Sequence, residues 1–276
     1  MALRNRVVVG ALAGGVDALR RVVHELPPDF PAAMFVAMHF PFEYSSKLPQ
    51  ILTGAGTLPA AHAADGERIV DGRIFVAPPG LHLTVDREHV RLNEDAYENR
   101  YRPSIDVLFR SAASTHGGST IGVLLSGMLD HGASGLHSVS ASGGLTIIQD
   151  PRDAEFEEMP RMAMAMTNVD RVLTAGEIGR ELGHLVRQEI ADRLPAAAGR
   201  EIRNGSGRLA NRLPGLRRPV VGNGRRRLPA LSLPGRALVF PAIAAQRWKR
   251  EIRTSALDGG THPRGAGRQA QPNGPA

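Results

Sequence analysis

The chain has 276 residues, with 34 Lys and Arg against 27 Asp and Glu, 42% apolar and 4% aromatic residues, and no cysteine. That length suits one large domain or two small ones with ample apolar core. The missing cysteine excludes disulfide scaffolds, thiolate metal sites and cysteine nucleophiles. A net charge of +7 and a pI near 10.8 point to a polyanionic partner if the charge lies on the folded part.

Short apolar runs alternate with helical patterns, the signature of a wound α/β sheet. Arg6–Gly10 is a β-branched strand ending in glycine. Val16, Leu19, Val22, Val23 and Leu26 then recur at spacings of three and four, which predicts a helix over Gly15–Leu26 stopped by Pro27 and Pro28. Ala33–His39 reads as a second buried strand and Tyr44–Leu52 as a helix. Asp71-Gly72 between Arg68–Val70 and Arg73–Val76 signals a hairpin, and His82–Val85 with His89–Leu92 a second one. Ser104 is a candidate N-cap for a helix over Ser104–Ser114. Thr120–Leu125 is an apolar strand leading into the turn Ser126-Gly127-Met128. A helix over Gly132–Ser140, a strand at Leu145–Gln149, a helix near Arg161–Met166 and a closing helix over Glu177–Arg193 complete the body. The expected fold is α/β, a three-layer wound and mostly parallel sheet with helices on both faces and antiparallel hairpin insertions.

Composition changes after Leu194. Residues 195–276 carry 16 basic residues, 15 of them Arg, against Glu201, Glu251 and Asp258, a net of +13, so residues 1–194 carry −6. Rich in Gly and Pro, this segment reads as a disordered basic tail (195–276) on an acidic globular domain (5–194). The clusters Arg225-Arg226-Arg227 and Arg247-Trp248-Lys249-Arg250 could contact a polyanion or an anionic membrane surface, or have no selected role. Arg4 and Arg6 before Val7–Val16 superficially resemble a signal peptide, but the apolar run is short and broken by Gly10, Gly14 and Gly15. No charge-free apolar stretch reaches the ~20 residues needed to span a bilayer, and the expected location is cytoplasmic.

Three strands end in turns suited to a site: Gly10–Gly15, Met38-His39-Phe40-Pro41 and Ser126–Gly132. In open α/β sheets, ligands bind outside the carboxyl ends of the strands. The first turn is spaced G-x-x-x-G-G, not G-x-G-x-x-G, and there is no G-x-x-x-x-G-K-[ST], so a nucleotide reading is weak and no cofactor is expected.

The run Val7-Val8-Val9-Gly10-Ala11-Leu12-Ala13-Gly14-Gly15-Val16-Asp17-Ala18-Leu19 is similar to the opening of the catalytic domain of the CheB family, the chemotaxis protein-glutamate methylesterases. Further similar stretches follow in family order: Ala64–Glu67, Val76–Pro79, Glu98–Phe109, Leu125–Met128, Gln149–Pro151 and Met159–Arg161. The resemblance runs from about residue 5 to residue 190 and omits the tail. It implies a serine, a histidine and an aspartate at three strand ends that hydrolyse glutamate methyl esters on chemoreceptors, releasing methanol. Histidine takes the serine proton, aspartate holds the imidazole, and backbone N–H groups stabilise the oxyanion.

Carried over position by position, the histidine is His39, the serine position holds Leu12 and the aspartate position holds His131. Ala13 and Met128 stand where backbone oxyanion donors are implied. Asp130 is a possible substitute acid one residue early, and Ser126 a second hydroxyl in the same turn. A metal site of His39, His131 and Asp130 is chemically conceivable, but no metal-binding spacing supports it. Arg100 and Arg102 could bind an acidic receptor segment or pair with acids of the body, and Tyr101 stands where many members carry histidine. The implied partner is a methyl-accepting chemoreceptor or similar acidic helical protein. The expected function is a methylesterase homologue with impaired or absent catalysis, or a non-catalytic scaffold in a signalling complex. With a strand opening at Arg6, no preceding receiver domain is expected in this sequence.

Overall fold

The computed structural model describes residues 3–38 and 46–190. In chain order its elements are β1 (Arg6–Ala11), α1 (Gly15–His24), β2 (Ala33–Met38), α2 (Leu48–Ala55), β3 (Ala60–His62), β4 (Ile74–Val76), β5 (His82–Val85), β6 (Val90–Asn93), α3 (Ile105–His116), β7 (Thr120–Leu124), α4 (Ala133–Ala141), β8 (Leu145–Gln149), α5 (Glu158–Met166), β9 (Arg171–Leu173) and α6 (Ala175–Leu185). Seven strands form one sheet in the order β3-β4-β2-β1-β7-β8-β9, with every pair parallel. β5 and β6 form a separate antiparallel pair.

Period-two alternation divides β1 between two apolar clusters. Val7, Val9 and Ala11 pack on the side of α1, α2 and α6, with Leu19, Val22, Leu52, Ile178 and Leu182. Val8 packs on the opposite side with Phe35, Phe75, Ile105, Phe109, Leu136 and Met159, beneath α3, α4, α5 and the β5–β6 pair. Strands buried on both faces read as continuous apolar runs, as β1, β2 and β7 do. The three-layer α/β architecture and the second hairpin are therefore present as expected. Ser104 caps α3 by accepting the Val107 N–H.

The first expected hairpin is absent. The chain does turn at Gly72 (φ 75°), but Ile74–Val76 pairs in parallel with β2 and β3 rather than with residues 68–70. Arg68 bridges His89 instead, and the Ile69 N–H donates to the Glu88 carbonyl at 2.7 Å. Ile74, Phe75 and Val76 are at most 1% exposed, and burial in the central sheet outweighs a local turn preference. The strands β3 and β9 have only three residues each, with partly exposed side chains, and offer no readable period. The fifth helix, α5, starts earlier than expected, at Glu158, and the last helix spans Ala175–Leu185 rather than Glu177–Arg193. The expected starts at Tyr44 and the histidine at His39, like the whole tail 195–276, lie outside the described residues. No helix among the described residues is long and apolar enough to cross a membrane.

Candidate functional site

The chain winds outward from β1 through β2 to β4, then returns to the other side of β1 as β7, so the switch point lies at the carboxyl end of β1. There the first and third turns are tied together. The Leu125 N–H donates to the Gly10 carbonyl at 2.9 Å, and the Leu12 N–H to the Ser126 carbonyl at 3.0 Å. Ser126 Oγ donates to the Ala13 carbonyl at 2.8 Å and accepts the Phe156 N–H at 3.0 Å. Behind it, the Ser126 N–H donates to Gln149 Oε1 at 2.8 Å, and Gln149 Nε2 donates to Asp153 Oδ2 at 2.8 Å. Asp153 also takes the Ala175 N–H and the Arg21 guanidinium, so this floor reaches both α6 and α1.

Two glycines make the closeness of these turns possible. Gly14 caps α1 in the left-handed region (φ 70°), and a Cβ there would come within 2.7 Å of Ser126 Oγ. Gly132 precedes α4 with φ 77°, and a Cβ there would press on Ile105 and Leu124, the same two side chains that exclude one at Gly10.

Within this frame, Leu12 is 6% exposed and belongs to the α3–α5 apolar cluster. It lies close to the backbone of Gly127, where a Cβ would meet Leu12 Cβ at 3.0 Å and Met159 Cε at 2.6 Å. Ala13 is equally enclosed, and its carbonyl is taken by Ser126. Met128 packs half-buried against the same cluster. Ser126, the second hydroxyl candidate of the third turn, is fully buried with both hydrogen-bonding roles in use, and so serves as a brace between turns. The last described residue of β2, Met38, stands in register with Ala11, one residue before Leu12.

His131 is 3% exposed just before α4, and its ring meets that of Tyr101 in a T-shaped contact (centroids 5.0 Å apart, planes at 83°). Burial lowers its pKa below the ordinary imidazole value, while the carboxylates of Asp130 and Asp106 pull the other way. Asp130 itself is exposed. The buried anion of the region is Asp106, which is 2% exposed. It accepts the Gly132 N–H at 3.0 Å, the Gly135 N–H at 2.7 Å and the Asn99 amide at 3.4 Å. A carboxylate there satisfies the amides and complements the dipole at the start of α4.

The two arginines differ in role. Glu98-Asn99-Arg100-Tyr101 closes a tight turn through paired Glu98–Tyr101 backbone bonds, with positive φ at both Asn99 (51°) and Arg100 (70°) as in a type I′ turn. This turn leaves Arg100 exposed and sets Tyr101 against His131. Arg102 donates to the carbonyls of Glu94 (2.6 Å) and Asp95 (3.1 Å) and lies 4.6 Å over the Tyr97 ring, which holds its own loop together. Among the described residues no group of three or more His, Cys, Asp or Glu side chains is placed to hold a metal ion, and His39 of the conceivable metal set lies outside them.

Asp106, Gln149 and Asp153 were not singled out from the sequence, although each supports a turn of the site. The partners that tie them to these turns, Gly132 and Gly135 for Asp106, Ser126 for Gln149 and Ala175 for Asp153, lie 22 to 29 residues away, and Arg21 lies 132 residues from Asp153, so no local spacing announces them.

A family model described as CheB methylesterase matches residues 7–182. The chain belongs to the CheB methylesterase family. It is 38% identical over 180 residues to the protein-glutamate methylesterase/protein-glutamine glutaminase 1 of Burkholderia pseudomallei (strain 1710b), an alignment covering 64% of this chain and 49% of that protein. It is 40% identical over 185 residues to a protein-glutamate methylesterase/protein-glutamine glutaminase 5 of Anaeromyxobacter dehalogenans (strain 2CP-C), covering 66% of this chain and 51% of the relative. The solved CheB methylesterase catalytic domain of Thermotoga maritima matches with a TM-score of 0.64 and 30% identity, over 67% of this chain and all of that one. The chain thus spans about half the length of the curated relatives it matches. In this CheB domain the first turn presents a buried leucine and the third a buried histidine.

Proposed function

We propose that this CheB-family domain engages chemoreceptor-type helices at the carboxyl ends of β1, β2 and β7, with hydrolysis of glutamate methyl esters impaired or absent. The observation that carries the reading is Leu12, a side chain without a nucleophilic atom, 6% exposed and packed into the core where the family's first turn would present serine. Losing members of such a triad costs several powers of ten in rate, while substrate binding and oxyanion donors survive. His131 reinforces the reading, since a neutral ring cannot stabilise an imidazolium as an aspartate does, and a protonated one would repel it. His39 remains the candidate base, Ala13 and Met128 the candidate oxyanion donors, and Asp130 the nearest substitute acid.

Arg100, exposed at the tip of a strained turn beside Tyr101, is the better candidate for meeting an acidic receptor segment. On this reading the protein works in the cytoplasm as a receptor-binding module of a chemotaxis-type signalling complex. The test is co-sedimentation with membranes carrying a methylated chemoreceptor. Saturable binding that weakens in Arg100→Glu supports the proposal; binding no greater than to receptor-free membranes overturns it.

A further inference from the structure

We infer that the carboxylate of Glu158 is a resident anion of the cleft, occupying a backbone donor beside the one that an oxyanion would use. The inference rests on the reading of the third turn as the oxyanion side of the site. Leu129 has a positive φ of 65°, a conformation that a branched side chain rarely takes, and its N–H donates to Glu158 Oε2 at 3.2 Å. The loop before α5 runs alongside this turn: the Gly127 N–H donates to the Phe156 carbonyl at 3.1 Å, and the Met159 N–H to the Gly127 carbonyl at 3.0 Å. Glu158 therefore enters the first turn of α5, where the helix dipole favours a negative charge, and its solvent-exposed carboxylate binds the amide one residue beyond Met128 at the rim of the third turn.

An oxyanion hole works because fixed dipoles wait, unneutralised, for charge that develops in the transition state. A carboxylate already bound to the neighbouring amide uses part of that field and repels a second anion. Glu158 would then be a third position, besides Leu12 and His131, that holds turnover down. Restoring serine and aspartate alone would leave the cleft slow.

Two measurements test this on the full chain. In the first, inorganic phosphate is titrated at constant ionic strength into the natural protein, Glu158→Gln and Glu158→Asp, following the amide resonances of Met128 and Leu129. Phosphate should bind Glu158→Gln at least ~10-fold more tightly than the natural protein, with Glu158→Asp close to natural. Equal phosphate affinity in all three overturns the inference. In the second, methanol release from methylated receptor is compared between Leu12→Ser/His131→Asp and the same variant with Glu158→Gln. A kcat raised about tenfold or more with KM little changed supports it, and an unchanged kcat in two active proteins overturns it. Tight phosphate binding by Glu158→Gln with no turnover in either protein sustains the resident anion and counts instead against the triad reading.

Discussion

Ser126 Oγ donates to the carbonyl of Ala13 at 2.8 Å, joining two turns that lie 113 residues apart in the chain. The same oxygen accepts the Phe156 N–H, so one buried hydroxyl braces three of the loops at the carboxyl edge of the sheet. It serves as structure in a place where a hydroxyl invites a catalytic reading.

Replacing it tests that role. Ser126→Ala strips a partner from the Ala13 carbonyl and from the Phe156 N–H, which should cost about 2–3 kcal/mol. For a domain of this size that is a fall in Tm of roughly 5–10 °C. Differential scanning calorimetry checks it. A change below about 2 °C would mean that the brace is dispensable.

Asp106 should be costlier to lose. Asp106→Ala leaves the Gly132 and Gly135 N–H groups at the start of α4 without their acceptor and removes a favourable charge there, an expected loss of about 3–4 kcal/mol. Asp106→Asn keeps one acceptor oxygen and should lose about half as much. Urea unfolding of the three proteins would show this ranking, and equal stability of the natural protein and Asp106→Ala would refute it.

Burial depresses the pKa of His131 in the folded chain, and that of His116 as well. A histidine depressed in this way contributes stability that is fully present above the unfolded value near 6.5 and is lost as pH falls through the folded value. The natural protein should therefore lose stability as pH drops from about 7 to 5, while the carboxylates of Asp153 and Glu98, held below their ordinary values by Arg21 and Arg110, are still charged in the folded chain. His131→Asn should flatten that slope. Chemical unfolding at several pH values decides it, and parallel slopes in both proteins would contradict it.

Much of the fold was legible because burial on two faces leaves continuous apolar strands, and amphipathic spacing marks α1, α3 and α6. The Ser104 cap was readable for the same local reason. The Thr174–Glu177 capping box is an equally local signal, and it starts α6 at Ala175, two residues before the expected Glu177. The hairpin at Asp71-Gly72 failed differently. The turn chemistry was right, but the strand after it found parallel neighbours from elsewhere in the chain. Leu12 and His131 stood out only through family resemblance, since neither carries a local chemical signal. Asp106, Gln149 and Glu158 acquire meaning only when partners 23 to 29 residues away fold against them.

Arg100 and Arg102, adjacent in motif, should separate in experiment. Arg102→Ala should cost about 1–2 kcal/mol by releasing the Glu94 and Asp95 carbonyls and the Tyr97 ring. Arg100→Ala, at an exposed turn, should leave Tm nearly unchanged but weaken receptor binding in a salt-dependent way. Thermal melts paired with co-sedimentation at two ionic strengths resolve the pair. A reversal of these effects would move the receptor contact to Arg102.

On the proposed function, Leu12 and His131 silence the esterase. Methanol release from methylated chemoreceptor, measured for the natural 276-residue chain and for folded Leu12→Ser/His131→Asp, tests it most directly. Release by the natural protein should stay at the receptor-alone background, and the double variant should release methanol above it, slowly while Glu158 is in place. Robust methanol release by the natural protein would contradict it.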